Sequence, residues 1–302
     1  MNDESTKYHE PVLLRESIEG LAIKSDGVYV DATFGGGGHS KAILEKLKDG
    51  KLFAFDQDEE AARNVFTDHR LIFINQNFRY LKKMLRVQGI NKVDGILADL
   101  GISSHQVDSA HRGFAHRLEG KLDMRMNSHG EKSAATILNS YNASALQKIF
   151  GEYGEVRNAK TLAEKIVETR NQKPFDTIEG FVKSIESCIR GNRNRYLSQV
   201  FQALRIEVND EMNALKEFLQ QSIEVLNHGG RLSVIAYHSL EDRLVKNVIR
   251  SGNAEGEEVK DFLGNSEKFF KVITKKPIEA SEEETRRNPR ARSAKLRIAE
   301  RI

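Results

Sequence analysis

The chain predicts an α/β fold: a Rossmann-like sheet interrupted by an inserted all-helical domain. Three observations predict it. A β-branched run, Val28-Tyr29-Val30, ends in Asp31, four glycines follow from Gly35 to Gly38, and a helical pattern of Ala42, Ile43 and Leu47 begins near Ser40. Strand, glycine turn and helix make the first crossover of such a sheet, whose ligands sit at the carboxyl ends of the strands. Further short apolar runs recur at 51–55, 71–74, 93–98 and 232–237, and Asp56 and Asp99 end two of them. From about 107 to 208 the alternation stops and only helical patterns remain. That stretch is too long for a crossover, so a core at 1–106 and 209–302 is expected around a helical domain at 107–208.

The glycine turn narrows the ligand. A phosphate loop ends in Gly-Lys-Ser/Thr, whereas this one reads Gly38-His39-Ser40-Lys41; a dinucleotide fingerprint requires glycine where Ser40 stands. The spacing Asp31, three residues, Gly35, one residue, Gly37 resembles the first motif of S-adenosylmethionine (SAM) methyltransferases. SAM carries no phosphate, so the loop need only admit its amino-acid end and ribose, with Asp31 near the cationic end. Four glycines forfeit backbone entropy, and a ligand pressed on the main chain, where a Cβ would collide, is the expected reason.

Composition is that of an ordinary soluble protein: 302 residues, 39% hydrophobic and 30% charged. The first ten residues are polar and charged, so no signal peptide is expected. No apolar run is long enough for a membrane helix. The single cysteine, Cys188, excludes an internal disulfide, cannot anchor a multi-cysteine zinc site and agrees with a reducing cytoplasm. Net charge is only +3, but the positive charge is clustered.

His9 reads as a surface residue beside Pro11, followed by Leu14, Ile18 and Leu21 at helical spacing. Asp56, 19 residues beyond Gly37, stands where a Rossmann-type fold places the carboxylate for the ribose hydroxyls. Asp58 is the alternative; Asp56 is favoured because it directly ends the apolar run. Phe78 suits either an adenine ring or the core beside Leu81 and Leu85. After Asp99, residues 102–106 enter the region where substrate-facing groups are expected. In the insert, Ser144 to Gln147 resembles a capping box with Gly151 as a stop, Ala159 to Val167 makes an apolar stripe, and Asp176 opens a helix carrying Cys188. The insert also carries Arg190, Arg193, Arg195 and Arg205. A helix from Met212 is expected to end at Gly229-Gly230, and Ser239 to Asp242 to cap the next. A polar loop at 252–264, a sixth strand at 269–273 and a final strand at 294–299 complete the pattern. Six basic residues crowd the tail: Arg286, Arg287, Arg290, Arg292, Lys295 and Arg297. Clustered arginine beside a cofactor cleft suits phosphate.

Several blocks together carry a resemblance. His9 to Leu14, Asp31 to Ser40, Asp94 to Ser104, Arg112 to Phe114, Leu122 to Met126, Tyr153 to Glu155, Tyr237 to Arg243 and Asn288 to Arg292 resemble the ribosomal RNA small subunit methyltransferase H family, in family order over nearly the whole chain. The resemblance implies a SAM-dependent enzyme that methylates the exocyclic N4 of a cytidine in the decoding region of 16S rRNA, acting on rRNA or the small subunit, and it admits a homodimer. It implies SAM contacts at Gly37, Gly38, His39, Asp56, Phe78, Asp99 and Gln106, to which the motif reading adds Asp31 and Gly35. One departure is Gly36, where members often carry a larger residue such as arginine.

The residues also constrain the chemistry. Methylating carbon 5 of cytosine requires a cysteine nucleophile in the active-site loop, and Cys188 lies far from it. Transfer to N4 needs no covalent intermediate and rests on positioning. An acceptor for N4–H helps localise the amine lone pair; the Leu100–Ser104 turn is expected to supply it, with Ser103 and Ser104 the candidates, and Asp99 is counted with them among the catalytic residues. His238 either assists proton removal or caps a helix. Arg193, Arg195, Arg286, Arg287, Arg290 and Arg292 are the candidate RNA contacts. A nicotinamide oxidoreductase would share the glycine turn and Asp56 but not the third glycine, and an RNA-binding assembly factor would not need three strand-end acids.

Overall fold

The computed structural model describes residues 11–258 and 267–302; His9 and part of the loop expected at 252–264 lie outside them. The chain forms two compact units, one made of the described residues up to Gly101 together with Asn213–Ile302, the other of Ile102–Met212.

In the first unit eight strands form one sheet: β1 (Val28–Asp31), β2 (Lys51–Phe55), β3 (Leu71–Ile74), β4 (Val93–Asp99), β5 (Leu226–Ala236), β6 (Phe270–Val272), β7 (Ile278–Glu279) and β8 (Lys295–Arg301). The order is β3-β2-β1-β4-β5-β8-β6, with β7 also on β8. β1 to β5 pair in parallel, and β8 runs antiparallel to β5, β6 and β7. The chain steps outward from β1 through β2 to β3, then returns to the other side of β1 with β4. That reversal opens a crevice above the carboxyl ends of β1 and β4, where ligands of such sheets bind.

Both faces of the sheet are covered. Val30, Phe53, Phe55, Ile96 and Ala98 join one core with Leu215, Phe218 and Leu219. Their neighbours Tyr29, Leu52 and Leu97 join another with Leu21, Ile43, Leu44 and Leu47. The period-2 alternation of strand side chains places successive residues on opposite cores.

The helical reading needs corrections of register. The helix after the glycines spans Gly38–Lys46, two residues earlier than expected. The helix Glu211–Val225 ends before the glycines, and β5 begins at once. β5 pairs Leu226 with Val93 and then Arg231 with Gly95, so the residues between loop out of register, with Gly229 at φ 77°. The short β7 was not expected from sequence, because two residues carry no periodicity.

The second unit is helical: Ser104–Asp108, Ala134–Ser140, Ala143–Glu152, Ala159–Arg170, Ile178–Ser184 and Arg193–Asn209, with the start of Glu211–Val225. Its own core gathers Leu138, Leu146, Phe150, Leu162, Ile166, Phe181, Leu197, Val200 and Leu204. The cap of Ala143–Glu152 is Asn142, whose side chain accepts from the Ala145 N–H, not Ser144; Gly151 is passed through. Thr177, not Asp176, caps Ile178–Ser184, and Cys188 is buried in a separate 3-10 turn. Among the described residues no helix is long and apolar enough to cross a membrane.

Candidate active site

β1, β2 and β4 deliver Asp31, Asp56 and Asp99 to their carboxyl ends, because each acid directly follows the last buried residues of its strand. The glycine turn leaves β1 beside them. Gly35, at φ 50°, donates its N–H to Asp56 Oδ2 at 2.8 Å, and the Asp58 N–H donates to Asp56 Oδ1 at 2.9 Å. Asp58 is buried and its carboxylate accepts from the Glu60 N–H as the cap of the turn Glu59–Asn64. Of the two acids Asp56 therefore holds the glycine turn.

Two of the glycines also answer to the protein's own packing, a reason that stands beside the expected ligand. A Cβ on Gly37, at φ 77°, would stand 2.9 Å from the Phe34 ring. One on Gly38 would overlap Pro11 Cγ. At Gly35 an added Cβ meets only Thr33 O at 4.0 Å, so open backbone lies here.

Asp31 is fully buried; Ser40 Oγ donates to its Oδ2 at 2.7 Å and the Thr33 N–H to its Oδ1 at 3.1 Å. It latches the strand end to the following helix and reaches the crevice through its charge rather than by contact. Burial pushes its carboxyl up to about 6, against the two hydrogen bonds. Asp56 is likewise pushed up to about 6 by burial, with Asp58 and Asp31 adding like charge. Asp99 is pushed up to about 7, first by burial and then by Asp31 and Glu241, while the Tyr237 hydroxyl pulls it down.

Asp99 differs from the other two in keeping one carboxylate oxygen open among the described residues. Its N–H donates to Thr33 Oγ1 at 2.7 Å, and its Oδ1 accepts from the Tyr237 hydroxyl at 2.7 Å. Its Oδ2 stands 3.8 Å from His39 Nδ1, too far for a hydrogen bond. His39 is buried, and burial lowers its pKa to about 4, so the ring is neutral. Its Nε2 lies 3.2 Å from the Val12 carbonyl, which can only accept, so Nε2 carries the proton. No lysine or arginine pairs with Asp31, Asp56 or Asp99 among the described residues. Three acids sharing one end of a sheet, with like-charge repulsion between them, make a site that favours a cation.

The other candidates fall less directly. Phe78 is partly buried on the short turn Phe78–Tyr80, its ring 5.1 Å from that of Phe218, so it borders the core while keeping some exposure. His238 is the N-cap of the helix Ser239–Ser251: its Nδ1 accepts from the Glu241 N–H, and Nε2 stands 3.1 Å from Glu241 Oε1. The capping box is His238 with Glu241, one residue earlier than Ser239 with Asp242. Of its two readings, this geometry gives His238 the helix cap.

In the helical unit Ser103 and Gln106 form a reciprocal capping box. The Gln106 N–H donates to Ser103 Oγ at 3.2 Å, and the Ser103 N–H donates to Gln106 Oε1 at 3.1 Å. The Ser103 hydroxyl is thus engaged in capping; the Ser104 side chain lies outside what is described. Arg193 and Arg195 are exposed at the start of Arg193–Asn209, with Arg193 paired to Glu186. Arg205 is instead an internal partner of Glu211.

The basic tail is an ordered part of the sheet unit. Arg286 and Arg287 are exposed in the helix Glu282–Arg287, Arg292 is exposed and Arg290 half-buried in Pro289–Ser293. Arg297 is no surface cation: buried in β8, it donates to both oxygens of Asp242 at 2.6 and 3.0 Å. Sequence reasoning gave no supporting role to Thr33, Ser40, Tyr237 or Glu241, although all four stand in the blocks that carry the family resemblance.

A sheet of this order, reversing beside β1 above a glycine turn and strand-end acids, defines a Rossmann-like, class I, SAM-dependent methyltransferase. The chain belongs to the MraW methylase family, which it matches over residues 6–302. It is 54% identical over 297 residues to the ribosomal RNA small subunit methyltransferase H of Cytophaga hutchinsonii, covering 97% of this chain and 99% of that one. The protein of the same name from Flavobacterium johnsoniae is 53% identical, covering 98% of each. Among solved structures, an rRNA methylase from Streptococcus thermophilus superposes with a TM-score of 0.43 at 12% identity over 95% of both chains, too loosely to carry an argument.

Proposed function

We propose that this chain methylates the exocyclic N4 of a cytidine in the decoding region of 16S rRNA. The observation that carries the reading is Asp99, an acid at the end of β4 with Oδ1 engaged by Tyr237 and Oδ2 without a hydrogen-bond partner among the described residues. When bound, SAM supplies an electrophilic methyl group on a cationic sulfur, and the uncompensated charge of Asp31, Asp56 and Asp99 fits that cation. Asp56 has spare acceptor capacity for the ribose hydroxyls, the open backbone at Gly35 admits the amino-acid end, and Phe78 borders the space for adenine. The family resemblance adds Gly37, Gly38, His39 and Gln106 to this set.

The N4 lone pair is delocalised into the pyrimidine ring. A carboxylate oxygen that accepts N4–H favours its localisation and takes the proton released when the amine is methylated. Asp99 Oδ2 is that acceptor. Cys188 is 3% exposed within the core of the helical unit, so no thiol among the described residues serves carbon 5.

Bringing a stacked cytidine to a cleft costs a few kcal/mol, offset by stacking and phosphate contacts. Arg193, Arg195, Arg286, Arg287, Arg290 and Arg292 supply the phosphate contacts. The test is transfer of labelled methyl from SAM to small subunits from cells lacking this enzyme. Wild-type protein labels them, and Asp99→Asn lowers the single-turnover rate by about 10²-fold or more. Full turnover with Asp99→Asn would remove Asp99 from the chemistry.

A further inference from the structure

We infer that Tyr237 is a positioning residue for methyl transfer: its hydroxyl pins Oδ1 of Asp99, so that the carboxylate offers Oδ2 to the acceptor amine in ionised form. The inference rests on the reading of Asp99 as the proton acceptor. In sequence Tyr237 only opens the block Tyr237 to Arg243, with no role of its own. It follows β5, while Asp99 ends the neighbouring β4, and the two strands pair up to Asp99 against Ile235.

Three contacts fix the tyrosine. Its N–H donates to Glu241 Oε2 at 2.8 Å. Its ring packs over Gly101, where an added Cβ would stand 3.3 Å from Cδ2. Its hydroxyl donates to Asp99 Oδ1 at 2.7 Å. Gly101 is at φ 99°, a conformation that glycine adopts without strain, and its bare Cα lets the ring pack close to the chain just past Asp99. The acid and the group that orients it are thereby locked to a single segment.

The electrical surroundings give the hydroxyl something to do. Around Asp99 stand Asp31 from β1, Glu241 from Ser239–Ser251, and a neutral His39 from Gly38–Lys46; Glu284 from Glu282–Arg287 adds its charge near Tyr237. Asp31 and Glu241 disfavour a charged Asp99, as does burial; among the described residues no cation opposes them, and the tyrosine hydroxyl is what favours the charge. Tyr237 itself is pushed well above its ordinary range by burial and by Asp99, so it stays a donor at all working pH. In the step served, the N4–methyl bond forms as the methyl–sulfur bond breaks, the sulfonium leaves as a neutral thioether, and the N4 proton passes to Asp99 Oδ2 and then to solvent.

The test is the pH profile of single-turnover methyl transfer by full-length wild type and Tyr237→Phe, beside a carboxyl-¹³C NMR titration of Asp99 in both. Phenylalanine keeps the ring over Gly101 and removes only the hydroxyl. The acid limb of the profile should move up by about one pH unit or more. Near pH 7 the rate then falls about five-fold, and it recovers toward wild type at higher pH. The Asp99 resonance should titrate correspondingly later, and in the Asp99→Asn background Tyr237→Phe should move no limb. A rate lowered equally at every pH, with the limb and the resonance in place, would mean a merely structural tyrosine and overturn the inference. If wild type fails to methylate N4, the functional reading falls, while the NMR titration still reports whether Tyr237 governs Asp99.

Discussion

Asp31, Asp56 and Asp99 are held as acids that resist ionising, and the sign of the consequence follows from that. Each has a folded value raised to about 6 or 7, above the ordinary value near 3.9. The stability they contribute is therefore fully present below about pH 4 and is lost as pH rises through about 6 to 7. Asp99→Asn should unfold less readily than wild type at pH 8, by roughly 1–3 kcal/mol, with the difference shrinking toward pH 4; urea unfolding at both pH values checks it. A bound cation favours the ionised acids, so SAM affinity should rise about tenfold between pH 5.5 and 8, as read by calorimetry. A flat affinity would mean that the acids do not meet the cation. These acids were legible because a carboxylate after an apolar run is a local pattern. Tyr237 was not, since its partner lies 138 residues away in sequence and becomes its neighbour only through the pairing of β4 with β5. The glycines were legible as a turn, but the packing behind two of them was not: the Phe34 ring and Pro11 are what a side chain at Gly37 or Gly38 would strike. Gly38→Ala should therefore lower thermal stability by about 1–3 kcal/mol with or without SAM.

At the scale of elements, caps account for most of the displaced boundaries. Ser239 and Asp242 look like a capping pair, yet His238 with Glu241 does the capping, because the hydroxyl and carboxylate rule does not anticipate an imidazole acceptor. His238→Ala should cost about 1 kcal/mol of stability while leaving the pH profile of methyl transfer in place. A displaced acid limb would instead return a proton-transfer role to that ring. In the helical unit the Ser103–Gln106 box has the same local logic, and its Ser-x-x-Gln spacing was present to be read. The antiparallel addition of β8 between β5 and β6 was half legible, as alternation in 294–299, but its burial of Arg297 on Asp242 was not. A basic residue in a charge run looks the same whether it faces water or a buried acid.

Over the whole molecule, the break in alternation after Asp99 reflects two compact units, with the boundary at Ile102 and Met212 rather than at 107 and 208. The first five of those residues carry a short capped helix start, too short for periodicity to assign. The helical unit has its own fully buried core, with Leu138, Phe150, Leu162, Phe181 and Leu204 all inaccessible to solvent. A fragment of residues 102–212 should fold alone, giving a helical circular dichroism spectrum and a cooperative melt; a non-cooperative melt would mean that it depends on the sheet unit. For the arginines, replacing Arg193, Arg195, Arg286, Arg287 and Arg292 by glutamine should weaken RNA binding and reduce its logarithmic salt slope by roughly 0.7–0.9 for each phosphate no longer neutralised. The central claim is most directly tested by the chemical identity of the product. Small subunits lacking the modification are incubated with the enzyme and isotopically labelled SAM, and the rRNA is digested to nucleosides for mass spectrometry. Label is expected in N4-methylcytidine. Label in 5-methylcytidine or on a ribose oxygen, or none at all despite bound SAM, would contradict that claim.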